Sequence, residues 1–286
     1  MGKLYIFGNG LDLHYGLKTS PNDYLQFLKQ ERIYNETSNA AEIFLNYNVN
    51  WSDFEQEIAY IDLEQIEENQ AAYPDYMSDH ESDREGVITN IQEYVNSMEA
   101  AINNALTKMI QAAEYEINNF QLDSQWSFGE KDMILSFNYT STIEKVSDVM
   151  DDIPILHIHG AYNDKDMLIL GYDKPLNNYN YKKYSNSEDG DYYMEQQLDA
   201  IHDFYLSLQK KLQFDRLKNF LGLSGQIDEV IVYGHSLGAV DAPYLEKIDQ
   251  LLNPVEWKIS YFKKDAEVFY NAEKLSFKNK ISFFQW

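Results

Sequence analysis

The stretch that decides the fold is Leu4-Tyr5-Ile6-Phe7-Gly8-Asn9-Gly10-Leu11-Asp12-Leu13-His14-Tyr15-Gly16-Leu17. Four consecutive apolar residues end abruptly in Gly-Asn-Gly, which reads as a buried strand entering a tight turn. Ser20-Pro21 then opens a helix carrying Tyr24, Phe27 and Leu28, with serine at the cap and proline in the first turn. A continuous apolar strand running into a helix belongs to a parallel sheet covered on both faces.

Outward from there, residues 40–128 lack strand-like alternation and read as a helical insertion, with helices over Trp51 to Ile66 and over about Arg84 to Asn119. After Gly129 strands return. Met133 to Phe137, Ile153 to Ile158, Met167 to Leu170 and Val230 to Tyr233 are strands, and Trp257 to Phe262 and Ile281 to Phe284 are closing strands. Helices are expected over Thr140 to Met150, Tyr193 to Phe220 and Val240 to Leu252, with a polar loop over Asn177 to Asp191. The expected fold class is α/β: a Rossmann-like, mostly parallel sheet with helices on both faces, in one composite domain over residues 1–286 with the insertion at 40–128.

Composition narrows the function. Hydrophobic residues make up 44% of the chain and aromatics 15%, values of a folded globular protein. With no cysteine, a disulfide framework, a cysteine nucleophile and a thiolate zinc site are all excluded. The apolar run after Met1 is too short for a signal peptide, and nothing approaches the roughly 20 apolar residues of a membrane span. The expected location is the cytoplasm, away from membranes. A formal charge of -24 argues against duplex DNA or RNA as a partner, because phosphate backbones are bound by clustered Lys and Arg.

Four strand ends carry chemistry-bearing signatures: Gly8-Asn9-Gly10, Asn138-Tyr139-Thr140, His159-Gly160 and Gly234-His235-Ser236-Leu237. In an open parallel sheet the ligand lies beyond the carboxyl ends of the strands, so the four converge on one candidate site. The dinucleotide fingerprint G-x-G-x-x-G fails at Leu13, but Gly16 supplies a third glycine six residues after Gly10. Asp12 either caps a turn or accepts a hydrogen bond from a ribose hydroxyl. In Trp51-x-Asp53-Phe54-Glu55 a helix cap with core aromatics is the reading, with Glu55 facing the cleft as its alternative.

The segment Gly8 to Phe27, Phe137-Asn138-Tyr139-Thr140-Ser141-Thr142-Ile143-Glu144, Ile158-His159-Gly160 and Gly234-His235-Ser236-Leu237 resemble, in order, the signature of the bacterial AbiH abortive-infection family. The same motifs are similar, more distantly, to the sirtuin nucleotide site. That likeness implies NAD as ligand, Asn138 and His159 as the catalytic pair, and Gly8, Gly10, Gly16, Gly234, Ser236 and Leu237 as dinucleotide contacts; Asn9 and Asp12, from the same loop, are added as candidate contacts. Asp12 stands where sirtuins have serine and the cysteine-bound zinc module is absent, so cleavage of the dinucleotide is expected rather than deacetylation. Nicotinamide is cationic when bound to ribose and departs neutral, so its loss needs no general acid. One polar side chain for the ribose or water and one neutral imidazole as base suffice.

Two other chemistries fit less well. Gly234-His235-Ser236-Leu237-Gly238 matches a nucleophile elbow, yet no histidine follows Ser236 to complete a triad. Asp12-x-His14 and His157-x-His159 have ligand-type spacing, but no metal is expected. The standing alternative is a non-catalytic nucleotide-binding sensor in phage defence. A phage-derived trigger and a homo-oligomer stay open as partners.

Overall fold

A computed structural model describes residues 2–33, 38–43, 55–56, 58–119, 126–147, 153–162, 168–174, 191–223, 225–263 and 266–286. Its centre is β1 (Gly2–Phe7), whose side chains alternate between two layers. Leu4 and Ile6 enter the apolar cluster on one face, while Tyr5 and Phe7 enter the cluster on the other. After β1 come α1 (Gly10–His14), α2 (Pro21–Leu28) and a two-stranded antiparallel pair, β2 (Arg32–Ile33) with β3 (Ser38–Asn39). Helices α3 (Leu63–Gln70) and α4 (Glu81–Asn119) precede β4 (Met133–Ser136), the short α5 (Thr142–Lys145) and β5 (Ile155–His157). The remainder is α6 (Tyr192–Ser207), α7 (Phe214–Leu221), β6 (Ile227–Tyr233), α8 (Ala242–Leu251), β7 (Glu256–Tyr261), α9 (Ala266–Lys274) and β8 (Ile281–Gln285).

The main sheet has six strands in the order β5-β4-β1-β6-β7-β8, every pair parallel. The chain therefore winds outward from β1 through β4 to β5, returns to lay β6 on the other side of β1, and winds outward again. That reversal is the doubly wound topology, and its switch point lies between the ends of β1 and β6. Leu217, Tyr244 and Val268, from α7, α8 and α9, cover Leu4, Ile6, Val230 and Trp257 on one face. Leu11 and Ile143, from α1 and α5, cover Phe7 and Ile134 on the other. A third layer joins α2, α4 and α6 through Tyr24, Met98, Ile102, Ala105 and Phe204.

Local signals explain several boundaries. Ser20 and Asp23 form a reciprocal capping box that starts α2 where Ser-Pro marks it. Asp62 caps α3 by accepting from Gln65 N at 2.9 Å. The expected helix Trp51 to Ile66 is consequently interrupted: Ile58–Tyr60 is a 3₁₀ turn and α3 starts afresh. Residues 51–54 and 57 lie outside the described residues.

Three further expectations are corrected. The helix expected over Thr140 to Met150 is one turn at Thr142–Lys145, and 148–150 fall outside the described residues. Leu168 to Leu170 adds no strand to the sheet; Ile169 N donates once to His159 O at 2.9 Å, and Met167 is not among the described residues. The long helix Tyr193 to Phe220 is two helices, α6 and α7. Its break is tertiary in origin: Tyr172 N donates to Leu208 O at 3.2 Å and Lys210 N donates to Tyr172 O at 2.8 Å. A Cβ on Gly171 would lie 2.2 Å from Leu208 O, so glycine there permits the approach that ends α6. Helix α9, absent from the expected elements, fills the crossover between β7 and β8. No helix among the described residues is long and apolar enough to cross a membrane.

Candidate functional site

At the switch point the ends of β1 and β6 carry Gly8-Asn9-Gly10 and Gly234-His235-Ser236. Their backbones nearly touch. A Cβ on Gly10 would sit 2.6 Å from Gly234 Cα, and one on Gly8 2.7 Å from Gly234 O. Gly8 N donates to Tyr233 O at 3.0 Å and Gly10 N to Gly234 O at 2.7 Å. Gly234 has φ +60, a left-handed conformation that favours glycine. These glycines are thus required by loop-on-loop packing, and the amides of Gly8 and Gly10, expected as dinucleotide contacts, are already engaged.

Beside this contact opens a cleft of about 500 Å³, within the roughly 300–1,000 Å³ of small-molecule sites. Gly8, Asn9, Gly10, His159, Gly234 and Ser236 all border it. So do Glu55, His235 and Asp241, with Phe137, Tyr261, Phe262, His14 and Trp286 as aromatic walls. Trp286 stacks on His14 at 4.6 Å between ring centroids.

The floor is a buried charge network. Lys210, its side chain fully covered, reaches Glu55 Oε1 at 2.9 Å, Glu55 Oε2 at 3.0 Å and Asp241 Oδ1 at 3.2 Å. His159 Nε2 lies 3.0 Å from the same Asp241 oxygen, and His235 Nε2 lies 3.5 Å from Asp241 Oδ2. Burial alone would raise the Asp241 carboxyl, but Lys210 and His159 hold it well below the usual carboxylate range. A carboxylate can only accept, so His159 donates through Nε2–H and its Nδ1 carries the lone pair. That Nδ1 is buried and has no hydrogen-bond partner. Burial, aided by Lys210, lowers His159 to about 4, which keeps it neutral at physiological pH. Burial pushes Glu55 up to about 7 despite Lys210, while the neighbouring Asp241 adds to the rise. Burial would lower Lys210, yet Asp241 and Glu55 keep its ammonium above the ordinary lysine value.

The other expected site residues go elsewhere. Asp12 and Asn138 border a separate void of about 10 Å³, on the scale of one water molecule, with Asn9, Thr19, Tyr139 and Thr140. Asp12 is buried and accepts from Asn138 Nδ2 at 3.1 Å, Thr140 Oγ1 at 2.8 Å and Thr142 Oγ1 at 2.6 Å. Burial raises it to about 6, with the threonine hydroxyls opposing. Its side chain ties α1 to the loop after β4. It faces this void, so the ribose contact expected of it is replaced by a structural bond set. Asn138 spends its amide nitrogen on Asp12, and its Oδ1 is buried without a partner. The amide of 138 and the imidazole of 159 therefore line different cavities, separated by Phe137 and Asn9, which border both.

His157 supports the same loop, with Nδ1 2.8 Å from Asn138 O and Nε2 2.8 Å from Glu144 Oε1. Gly16 borders neither cavity; at φ +77 it ends α1 in a left-handed turn. Leu237 is buried under the sheet at φ 57, its amide donating to His235 Nδ1 at 2.9 Å.

Sequence reasoning missed Lys210, Asp241 and the role of His235, and gave Glu55 facing the cleft, where it lies, only as an alternative. Asp241 precedes Ala242-Pro243 and so looks like a helix cap, although its side chain makes no capping bond. For Lys210 no local signal existed, because its burial depends on the break between α6 and α7.

The family model for bacteriophage abortive infection AbiH matches residues 4–261. The chain belongs to the AbiH family. Its role is antiphage abortive infection, and the match covers the cleft-bordering loops after β1, β4, β5 and β6, while Trp286, which follows β8, lies beyond it. No curated protein matches this AbiH chain.

Proposed function

We propose that this AbiH protein hydrolyses the N-glycosidic bond between nicotinamide and ribose in NAD or a related dinucleotide. One observation carries the reading. His159, a neutral imidazole held by an ionised Asp241, borders a cleft at the sheet's switch point and keeps a buried Nδ1 without a hydrogen-bond partner.

The chemistry balances with water as the only co-reactant. The C1′–N bond breaks and its electron pair leaves with the nicotinamide ring, which departs neutral. Water adds to C1′, and His159 Nδ1 takes the proton that water releases. Asp241 fixes the tautomer that makes Nδ1 the acceptor and stabilises the imidazolium. Gly8, Gly10, Gly234 and Ser236 bound the ligand's path as backbone walls. Asn138, expected to orient ribose or water, serves in this reading by fixing the loop beside Phe137 through Asp12 and His157.

Purified protein is to be incubated with NAD, NADP and other dinucleotides, alone and with extract of phage-infected cells, and the products identified by mass spectrometry. Nicotinamide and ADP-ribose are expected from NAD, with release strongly reduced in His159→Ala. Absence of nicotinamide in every arm would overturn the reading. A non-catalytic sensor is the second reading, favoured by the glycine packing at the switch point, which explains that motif without catalysis. Ligand binding without turnover, unaltered by Asn138→Ala or His159→Ala, would select it.

A further inference from the structure

The walls of the cleft are as informative as its floor. Among the described residues no lysine or arginine borders it, whereas Glu55, Asp241 and Glu267 do. Among the described residues the cation at the floor is Lys210, which lies behind the lining with its ammonium already shared by three carboxylate oxygens. Asp241 and a Glu55 that titrates near neutral pH face the single ammonium there, and the amides of Gly8 and Gly10 are spent on the end of β6 and the loop after it. A phosphate placed at this floor meets carboxylates and no available donor of positive charge. A cation placed there meets carboxylates and ring faces, from Phe137, Tyr261, Phe262 and Trp286. Carboxylates together with aromatic faces are the usual surroundings of a bound organic cation. His159, which borders the same cleft, independently carries a buried Nδ1 without a hydrogen-bond partner.

We infer that the cleft floor is a site for a planar organic cation, and that the fixed positive charge of an oxidised pyridinium is what it selects. This rests on the glycohydrolase reading only for the identity of that cation as nicotinamide linked to ribose. The ring enters toward Glu55 and Asp241, and the phosphates of a dinucleotide stay toward the mouth. The same carboxylates would stabilise the positive charge that spreads onto the ribose as the C1′–N bond lengthens.

Two probes of nearly equal shape isolate charge from chemistry: 1-methylnicotinamide, a pyridinium cation with no glycosidic bond to cleave, and neutral nicotinamide. Their affinities for the full chain are to be measured by calorimetry at low and high salt. The cation is expected to bind roughly tenfold tighter, with the gap narrowing as salt rises and in Glu267→Gln. Glu55→Gln, checked for folding by circular dichroism, should narrow it further. Equal affinity for both probes, tighter binding of nicotinamide, or a gap that survives both substitutions would overturn the inference. Nicotinamide release from NAD, followed alongside, keeps the two ideas separable. Turnover of NAD with no preference for the cation sinks the inference and leaves the hydrolase. A cation preference without turnover in any arm does the reverse.

Discussion

Two polar clusters sit on either side of Phe137, and they are built for opposite ends. Around Asp12 one carboxylate receives two threonine hydroxyls and an asparagine amide beside a void of about 10 Å³, and Asn138 Oδ1 alone is left without a partner. Around Asp241 there is an excess of function over need. One carboxylate holds a lysine and a histidine, with a second histidine 3.5 Å away, and the cluster opens on a cleft of about 500 Å³ with a ring nitrogen unused. Buried polar groups normally satisfy one another, so a carboxylate ringed by its own cluster beside a water-sized void reads as a structural fastening, and a charged network bordering a large cleft is the candidate ligand site.

That contrast can be broken by mutation. Replacing His159 with Ala should reduce nicotinamide release by about 10²–10⁴-fold, the usual worth of a positioned base, with a melting temperature close to that of the parent. An equal loss of activity in Asp12→Asn, with folding intact, would erase the distinction between the clusters. Lys210→Met should lower stability by about 3–5 kcal/mol in urea titrations, because Glu55 and Asp241 would be left buried without their cation. A change within about 1 kcal/mol would mean that the floor is wetter than its burial indicates.

The clusters should also answer pH in opposite directions. Asp12 is raised from 3.8 to about 6, so its contribution to stability is fully present below 3.8 and is lost as pH rises through 6. His159 is lowered from 6.5 to about 4, so its contribution is present above 6.5 and is lost as pH falls through 4. Stability of the parent relative to Asp12→Asn should therefore fall from pH 4 to 6, and relative to His159→Gln it should fall from pH 6.5 to 4. Each change should be on the order of 2 kcal/mol, read from urea midpoints. Two curves of the same slope would contradict the assignment. The smallest effect separates the glycines. Gly16→Ala should cost about 1 kcal/mol, since φ +77 is strained for alanine although the space is open. Gly10→Ala, which drives a methyl into the Gly234 backbone, should cost clearly more.

Much of this was legible in the chain. The apolar run Leu4 to Phe7 ending in glycine, repeated at Met133 and Val230, gave the strands and the end of the sheet at which to look. Periodicity has that power because strand and helix repeats are local. His159 and the Gly8 and Gly234 loops were found on that basis, and they do border the cleft. Asn138 carried an equally strong motif and yet turns to Asp12, since a motif specifies a strand end but not the rotamer that packing selects there.

By itself, then, the sequence determined a doubly wound sheet, the strand ends that form its switch point and the exclusion of thiol chemistry. Tertiary structure alone decided which polar side chains share a cavity. Lys210 reaches Glu55 across 155 positions and Asp241 across 31, just after the break between α6 and α7 against which Gly171 packs. Burial and charge pairing depend on such distant contacts, and they set what the cleft can do.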